Sequence, residues 1–121
     1  MENKNHLGEV QIADDVVAII AGLAATEVEG VDSMAGNIPH ELISKLGMKK
    51  LSKGVKVELL DGNVNVDLTL NLAYGYNIPD TSREVQRKVK DAIENMTGLT
   101  VEDVNVRITG VNMQSADKKE D

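Results

Sequence analysis

The sequence predicts a small α+β domain in which two helices pack on one face of a small, largely antiparallel or mixed sheet. Three observations carry this expectation. Strict period-two alternation runs from Val64 to Leu72 behind an Asp61-Gly62 turn signal; an apolar, alanine-rich stretch runs from Val16 to Val28; and Val85, Val89, Ala92, Ile93 and Met96 form one stripe at helical spacing. The expected order is strand, helix, insert, hairpin, helix, strand.

Gly8-Glu9-Val10-Gln11-Ile12-Ala13 alternates polar and apolar residues and reads as a short strand with Val10 and Ile12 inward. Asp14 and Asp15 then offer an N-cap and negative charge for the positive end of a helix. That helix, from about Asp15 to Val28, is apolar nearly all round, and Ala18, Ala21, Gly22, Ala24 and Ala25 allow close approach, so it is expected to be central and buried. Gly30 is a left-handed stop, after which Val31 opens a brief strand.

Residues 32–53 form an irregular, locally basic insert with Gly36, Pro39 and Gly47, where Pro39 suits the first position of a short helix carrying Leu42, Ile43 and Leu46. Lys45, Lys49 and Lys50 make this segment a candidate docking element, against the plainer reading of a solvated charged face. The hairpin follows. With Asp61-Gly62 as a two-residue turn, Leu59 faces Val64, Val57 faces Val66 and Val55 faces Leu68, while Lys56 falls opposite Asp67. The other face, with Glu58, Asn65, Asp67, Thr69 and Asn71, is expected to be open to water.

Beyond Tyr74-Gly75-Tyr76 the chain turns at Asn77-Ile78-Pro79. Thr81 and Glu84 fit a capping box for the second helix, which Gly98 ends. The last strand, Val101 to Val111, turns Val104, Val106 and Ile108 inward, and Gly110 interrupts its alternation as a bulge would. Residues 8–113 thus read as a single domain between a flexible 1–7 and a disordered polar tail at 114–121.

Composition narrows the function. The formal net charge is -7, and the aromatic residues are two tyrosines with no Phe or Trp. Such a chain supplies neither the cationic surface nor the stacking platforms of general nucleic-acid binding. No cysteine is present, which excludes disulfides, thiolate nucleophiles and Cys-ligated metal and points to a cytoplasmic setting. The start, Met1 to His6, does not read as a secretory signal, and the Val16–Val28 stretch is too short and too interrupted to cross about 30 Å of hydrocarbon. Any membrane association is expected to come through a partner.

No catalytic, cofactor-binding or metal-binding residues are assigned. His6 and His40 stand apart, without a second histidine at ligand spacing, and the glycine-containing stretches lack a P-loop ending. The candidate partner-binding residues besides the insert lysines are Arg83 and Arg87, four apart on one helical face, and Tyr74 and Tyr76 beside a turn. For the tyrosines, closure of the core edge is the competing reading; for the arginines, plain solvation.

Three segments together resemble the alkaline shock protein family. They are Gly8 to Ala13 followed by Val16 to Val31; Gly54-Val55-Lys56-Val57 with its hairpin and Tyr74-Gly75; and Val85-Gln86-Arg87-Lys88-Val89-Lys90 through Gly98-Leu99 with Val104 to Val111. The resemblance spans roughly residues 8–113 with the motifs in family order. It implies a Gram-positive cytoplasmic protein of cell-envelope stress, tethered at the membrane by a separate anchor protein, prone to self-association, and without cofactors or established catalytic residues. Some relatives of this kind are encoded beside acetyl-CoA carboxylase or fatty-acid kinase genes. Ala35-Gly36-Asn37 and Asn95-Met96-Thr97 are similar to the carboxylase-linked branch, which would make a lipid-synthesis enzyme the partner.

Overall fold

A computed structural model describes residues 7–34 and 54–113. In chain order the elements are α1 (Asp14–Thr26), β1 (Val31–Met34), β2 (Val55–Leu60), β3 (Asn63–Ala73), α2 (Ile78–Thr97) and β4 (Thr100–Asn112). The fold is α+β, with both helices on one face of a four-stranded mixed sheet.

The long strand β3 organises the sheet because both of its sides are in use. On one side β2 pairs antiparallel with its first half, from Leu60↔Asn63 to Val55↔Leu68, and β1 pairs antiparallel with its second half, Val31↔Leu72 to Met34↔Leu70. On the other side β4 runs parallel along all of it, from Asn63↔Thr100 to Ala73↔Asn112. A parallel return needs a long connection. Helix α2 supplies it: its 20 residues span about 30 Å at 1.5 Å each, close to the reach of β3.

The hairpin register is the expected one. Asp61 and Gly62 both take positive φ, 55° and 81°, and Val57↔Val66 and Lys56↔Asp67 are partners. The alternating apolar positions of β3, Val64 to Leu72, are all at most 1% exposed, and Val64, Val66, Leu68 and Leu70 share one core with Val17, Ala21 and Ala25 of α1 and Val85, Val89 and Ile93 of α2. Each such aliphatic side chain contributes roughly 1.5–3 kcal/mol when fully buried.

Several local expectations are corrected. Residues 8–13 form no strand: Val10 is 92% exposed and only Ile12 touches the core. Alternation shows which face a strand would bury but supplies no partner, and no described strand pairs with these residues. Neither Asp14 nor Asp15 caps α1. Ala13 holds that position without a side-chain bond, and the acids sit in the first turn. Helix α1 ends at Thr26, so Gly30 shapes the turn into β1 rather than the helix end.

Helix α2 starts three residues before the expected Thr81 cap. Asn77 Oδ1 accepts from the Asp80 amide at 2.8 Å, Pro79 fits the first turn where no amide partner is needed, and Thr81 is buried inside the helix. Met96, one turn beyond the last buried position Ile93, is exposed. In β4 the bulge foreseen at Gly110 is present, and a second lies between Val101 and Asp103. The insert lysines Lys45, Lys49 and Lys50, the short helix after Pro39, both histidines and the tail lie outside the described residues.

Candidate interaction surface

The core side chains of β3 point toward the helices, so their neighbours Asn65, Asp67, Thr69 and Asn71 point away. No described element packs on that second face. Across it the strands line up in polar rows. Lys56 of β2, Asp67 of β3 and Asn105 of β4 share one row, with the Asn105 amide donating to Asp67 Oδ1 at 2.8 Å. Thr69 and Arg107 are partners in the next. Thr109 Oγ1 donates to Asn71 Oδ1 at 3.4 Å. A depression of about 410 Å³ lies over Lys56, Asp67, Thr69, Asn105 and Arg107. Outside that depression, Asn65 Oδ1 is enclosed without a hydrogen-bond partner among the described residues. These groups can donate, accept and pair with charge, and they make a surface for polar recognition.

A second concavity of about 790 Å³ separates α2 from β4 and contains the two candidate arginines. Arg83 and Arg87 do share this face. Each is held by an acid one turn earlier on the same helix: Arg83 by Asp80 at 2.7 Å, and Arg87 by Glu84. The Arg87 guanidinium keeps the Glu84 carboxyl below the usual carboxylate range, and Glu84 in turn raises Arg87. With Glu102 and Asp103 on the opposite wall, the groove is mixed in charge rather than a simple anion site.

Two other side chains of α2, which the sequence did not single out, reach the strand. Gln86 Nε2 donates to the Val104 carbonyl at 2.9 Å, and Glu94 Oε2 accepts from the Val101 amide at 2.9 Å. Nothing in the helical periodicity marks them, because both occupy polar positions that look solvated until β4 is in place.

The tyrosines divide. Tyr76 lies against Gly30, whose position a Cβ would bring within 2.8 Å of its ring, and its hydroxyl donates to Glu29 at 3.2 Å. Its ring covers the buried Gly30 but is itself exposed and stands outside the core cluster. Glu29 raises the Tyr76 phenol above its ordinary range through its charge and this hydrogen bond. Tyr74 is more exposed and ends β3 beside the last residues of β4, its amide donating to the Asn112 carbonyl at 3.3 Å. Among the described residues no group of three or more His, Cys, Asp or Glu side chains could hold a metal ion, and no helix is long and apolar enough to cross a membrane.

Comparison with known proteins places this arrangement. The model of the alkaline shock protein 23 family, whose function is described as cell envelope-related, matches residues 2–113. This chain belongs to that family. Family relatives include the Bacillus subtilis protein YqhY, 36% identical over 91% of this chain and 82% of its own length. The Streptococcus pyogenes protein Spy1614 is 34% identical over 88% and 89%, and Bacillus subtilis YloU is 30% identical over 93% and 96%. The resemblance read from Gly8–Val31, the hairpin and the closing helix and strand is thereby borne out. Among solved structures the chain is similar to a variant of the MamM CTD at TM-score 0.50 and 12% identity, covering 81% of this chain and 99% of that one. A cadmium form of another MamM CTD variant gives 0.50 and 11%, over 81% and 98%. At that identity the likeness concerns the fold alone.

Proposed function

We propose that this member of the family is a non-enzymatic scaffold or interaction module of the cell envelope, working in the cytoplasm through protein partners and through association with copies of itself. The observation that supports the reading is the polar sheet face on which no described element packs. Three strands bring Lys56, Asp67, Thr69, Asn105 and Arg107 onto one polar surface, and the hydrogen bonds that order them stabilise the surface rather than activate a nucleophile or a proton-transfer group. A cell envelope-related function of the family fits a module of this kind, with membrane proximity supplied by an anchoring partner.

The test is to isolate complexes of the full chain from its own cells and compare them with those of an Asn105→Ala/Arg107→Glu double variant. Defined partners that are present with the native protein and lost with the variant, at unchanged thermal stability, support the reading. A turnover activity abolished by one substitution would refute it. If the recovered partner is a lipid-synthesis enzyme, and its binding depends on Lys45, Lys49 and Lys50, the module acts as a regulatory subunit instead.

A further inference from the structure

The polar face of the sheet carries its charges at two poles. Nearest the Asp61-Gly62 turn, Glu58 of β2 and Asp103 of β4 flank Asn65 in one row, and Lys56, Asp67 and Asn105 form the next. The row after that sets Thr69 beside Arg107 and, on its other side, Gly54, whose carbonyl accepts from the Thr69 amide at 2.9 Å. Gly54 adds no side chain there, and the depression of about 410 Å³ opens over Thr69 between Lys56 and Arg107.

The cations of this depression lack acceptors. The ion pairs formed between described residues lie on α2, Arg83 with Asp80 and Arg87 with Glu84, and neither Lys56 nor Arg107 takes part in one. Asp67, the acid between them, holds the Asn105 amide at 2.8 Å instead. Lys56, Arg107 and the Thr69 hydroxyl are therefore donors for an incoming group. Two cations against one carboxylate leave a single positive charge, which one further carboxylate balances; a phosphate near its second charge would exceed it and meet Asp67.

We infer that this depression takes the carboxylate of an Asp or Glu side chain from a partner protein, held by the planar fork of Arg107 and the point charge of Lys56. The inference rests on the interaction-module reading above and names the partner's chemistry. The row of Glu58 and Asp103 lies four residues from Thr69 along β3, about 13 Å at 3.3 Å each, and suits a cation of the same partner. All four charged groups are exposed, so each contact alone is weak, and the spacing of opposite charges supplies the selectivity.

The test is zero-length carbodiimide coupling of complexes that the full chain forms in extracts of its own cells, which joins an ammonium to a carboxylate in direct contact. Mass spectrometry is expected to find Lys56 Nζ in amide linkage to an Asp or Glu of the partner. Lys56→Arg keeps the charge and is expected to retain the partner while losing that linkage. Arg107→Ala and Asp103→Lys are each expected to weaken the partner's binding about fivefold at unchanged thermal stability. If either variant melts lower, the linkage in the native chain decides alone.

Linkages only at other lysines, such as Lys88 or Lys90, overturn the site and leave the interaction-module reading standing. So does undiminished binding by a stable Arg107→Ala or Asp103→Lys variant. A linkage from Lys56 to Glu58 or Asp103 of a second copy overturns the assignment to a distinct partner. In NMR titrations of the full chain, inorganic phosphate that shifts the Thr69 and Arg107 amides more than acetate does overturns the preference for a carboxylate. If no partner is lost with the Asn105→Ala/Arg107→Glu variant, both the site and the reading beneath it fall.

Discussion

Tyr76 donates its phenol hydrogen to Glu29, 47 positions earlier in the chain, at 3.2 Å. The bond ties the turn after α1 to the turn before α2, at the end of the sheet where β3 finishes.

Alkaline pH is expected to loosen this tie. Glu29 raises the phenol pKa in the folded state, so the contribution is fully present below the ordinary phenol value and is lost as pH rises through the folded value. Denaturant melts between about pH 9 and 11 are expected to show a decline that Tyr76→Phe makes shallower. An identical decline in the variant would assign the effect to other groups.

Gly30 and Gly62 both need positive φ, at 103° and 81°, yet alanine is expected to cost more at the first. At Gly62 a Cβ meets nothing within 4 Å, leaving a backbone cost of about 1–2 kcal/mol. At Gly30 the same atom would also meet Tyr76 Cδ2 at 2.8 Å and Thr81 Cγ2 at 3.2 Å, which brings the total to about 2–4 kcal/mol. Equal losses in urea titration would show that the Tyr76 ring yields freely.

The start of α2 depends on Asn77. Asn77→Ala is expected to cost about 1 kcal/mol, and Asn77→Asp, which keeps the acceptor and suits the helix dipole, far less. Chemical denaturation of the two variants checks this. If Asn77→Ala has no effect, the helix begins elsewhere.

Ile93 and Met96 share the apolar stripe of α2 but not its burial, at 0% and 72% exposed. Ile93→Ala is expected to lower stability by about 2–5 kcal/mol, and Met96→Ala to stay within about 0.5 kcal/mol. A large loss at Met96 in thermal melts would show that this side chain is covered in solution.

The sequence was most informative where the decisive contacts lie close along the chain. The β2–β3 register was legible because Asp61 and Gly62 accept the turn, and from that turn Lys56 can meet only Asp67. The stripe of Val85, Val89 and Ile93, the bulge at Gly110 and the open polar face of β3 follow in the same way, from a period of 3.6 or of 2 within one segment.

Part of the candidate surface was legible for the same reason. Asn65, Asp67, Thr69 and Asn71 could be assigned to the open face from alternation alone. Asn105 and Arg107 could not be set beside them until β4 was known to run parallel along β3.

What the sequence determined by itself about this protein is therefore its class, its family resemblance, its hairpin and the faces of its elements. The tertiary structure alone decided which elements find partners. It gave both flanks of β3 to other strands and left the well-patterned residues 8–13 out of the sheet; it moved the cap of α2 from Thr81 to Asn77 and buried Thr81 against Gly30. It also set Gln86 and Glu94 on the edge of β4, and Asp80 and Glu84 on the arginines expected to attract an anion. The physical reason is common to all of these. A side-chain pattern records what a residue would bury or bond, whereas the partner that satisfies it is chosen by competition among segments distant in the chain, and only the folded arrangement resolves that competition.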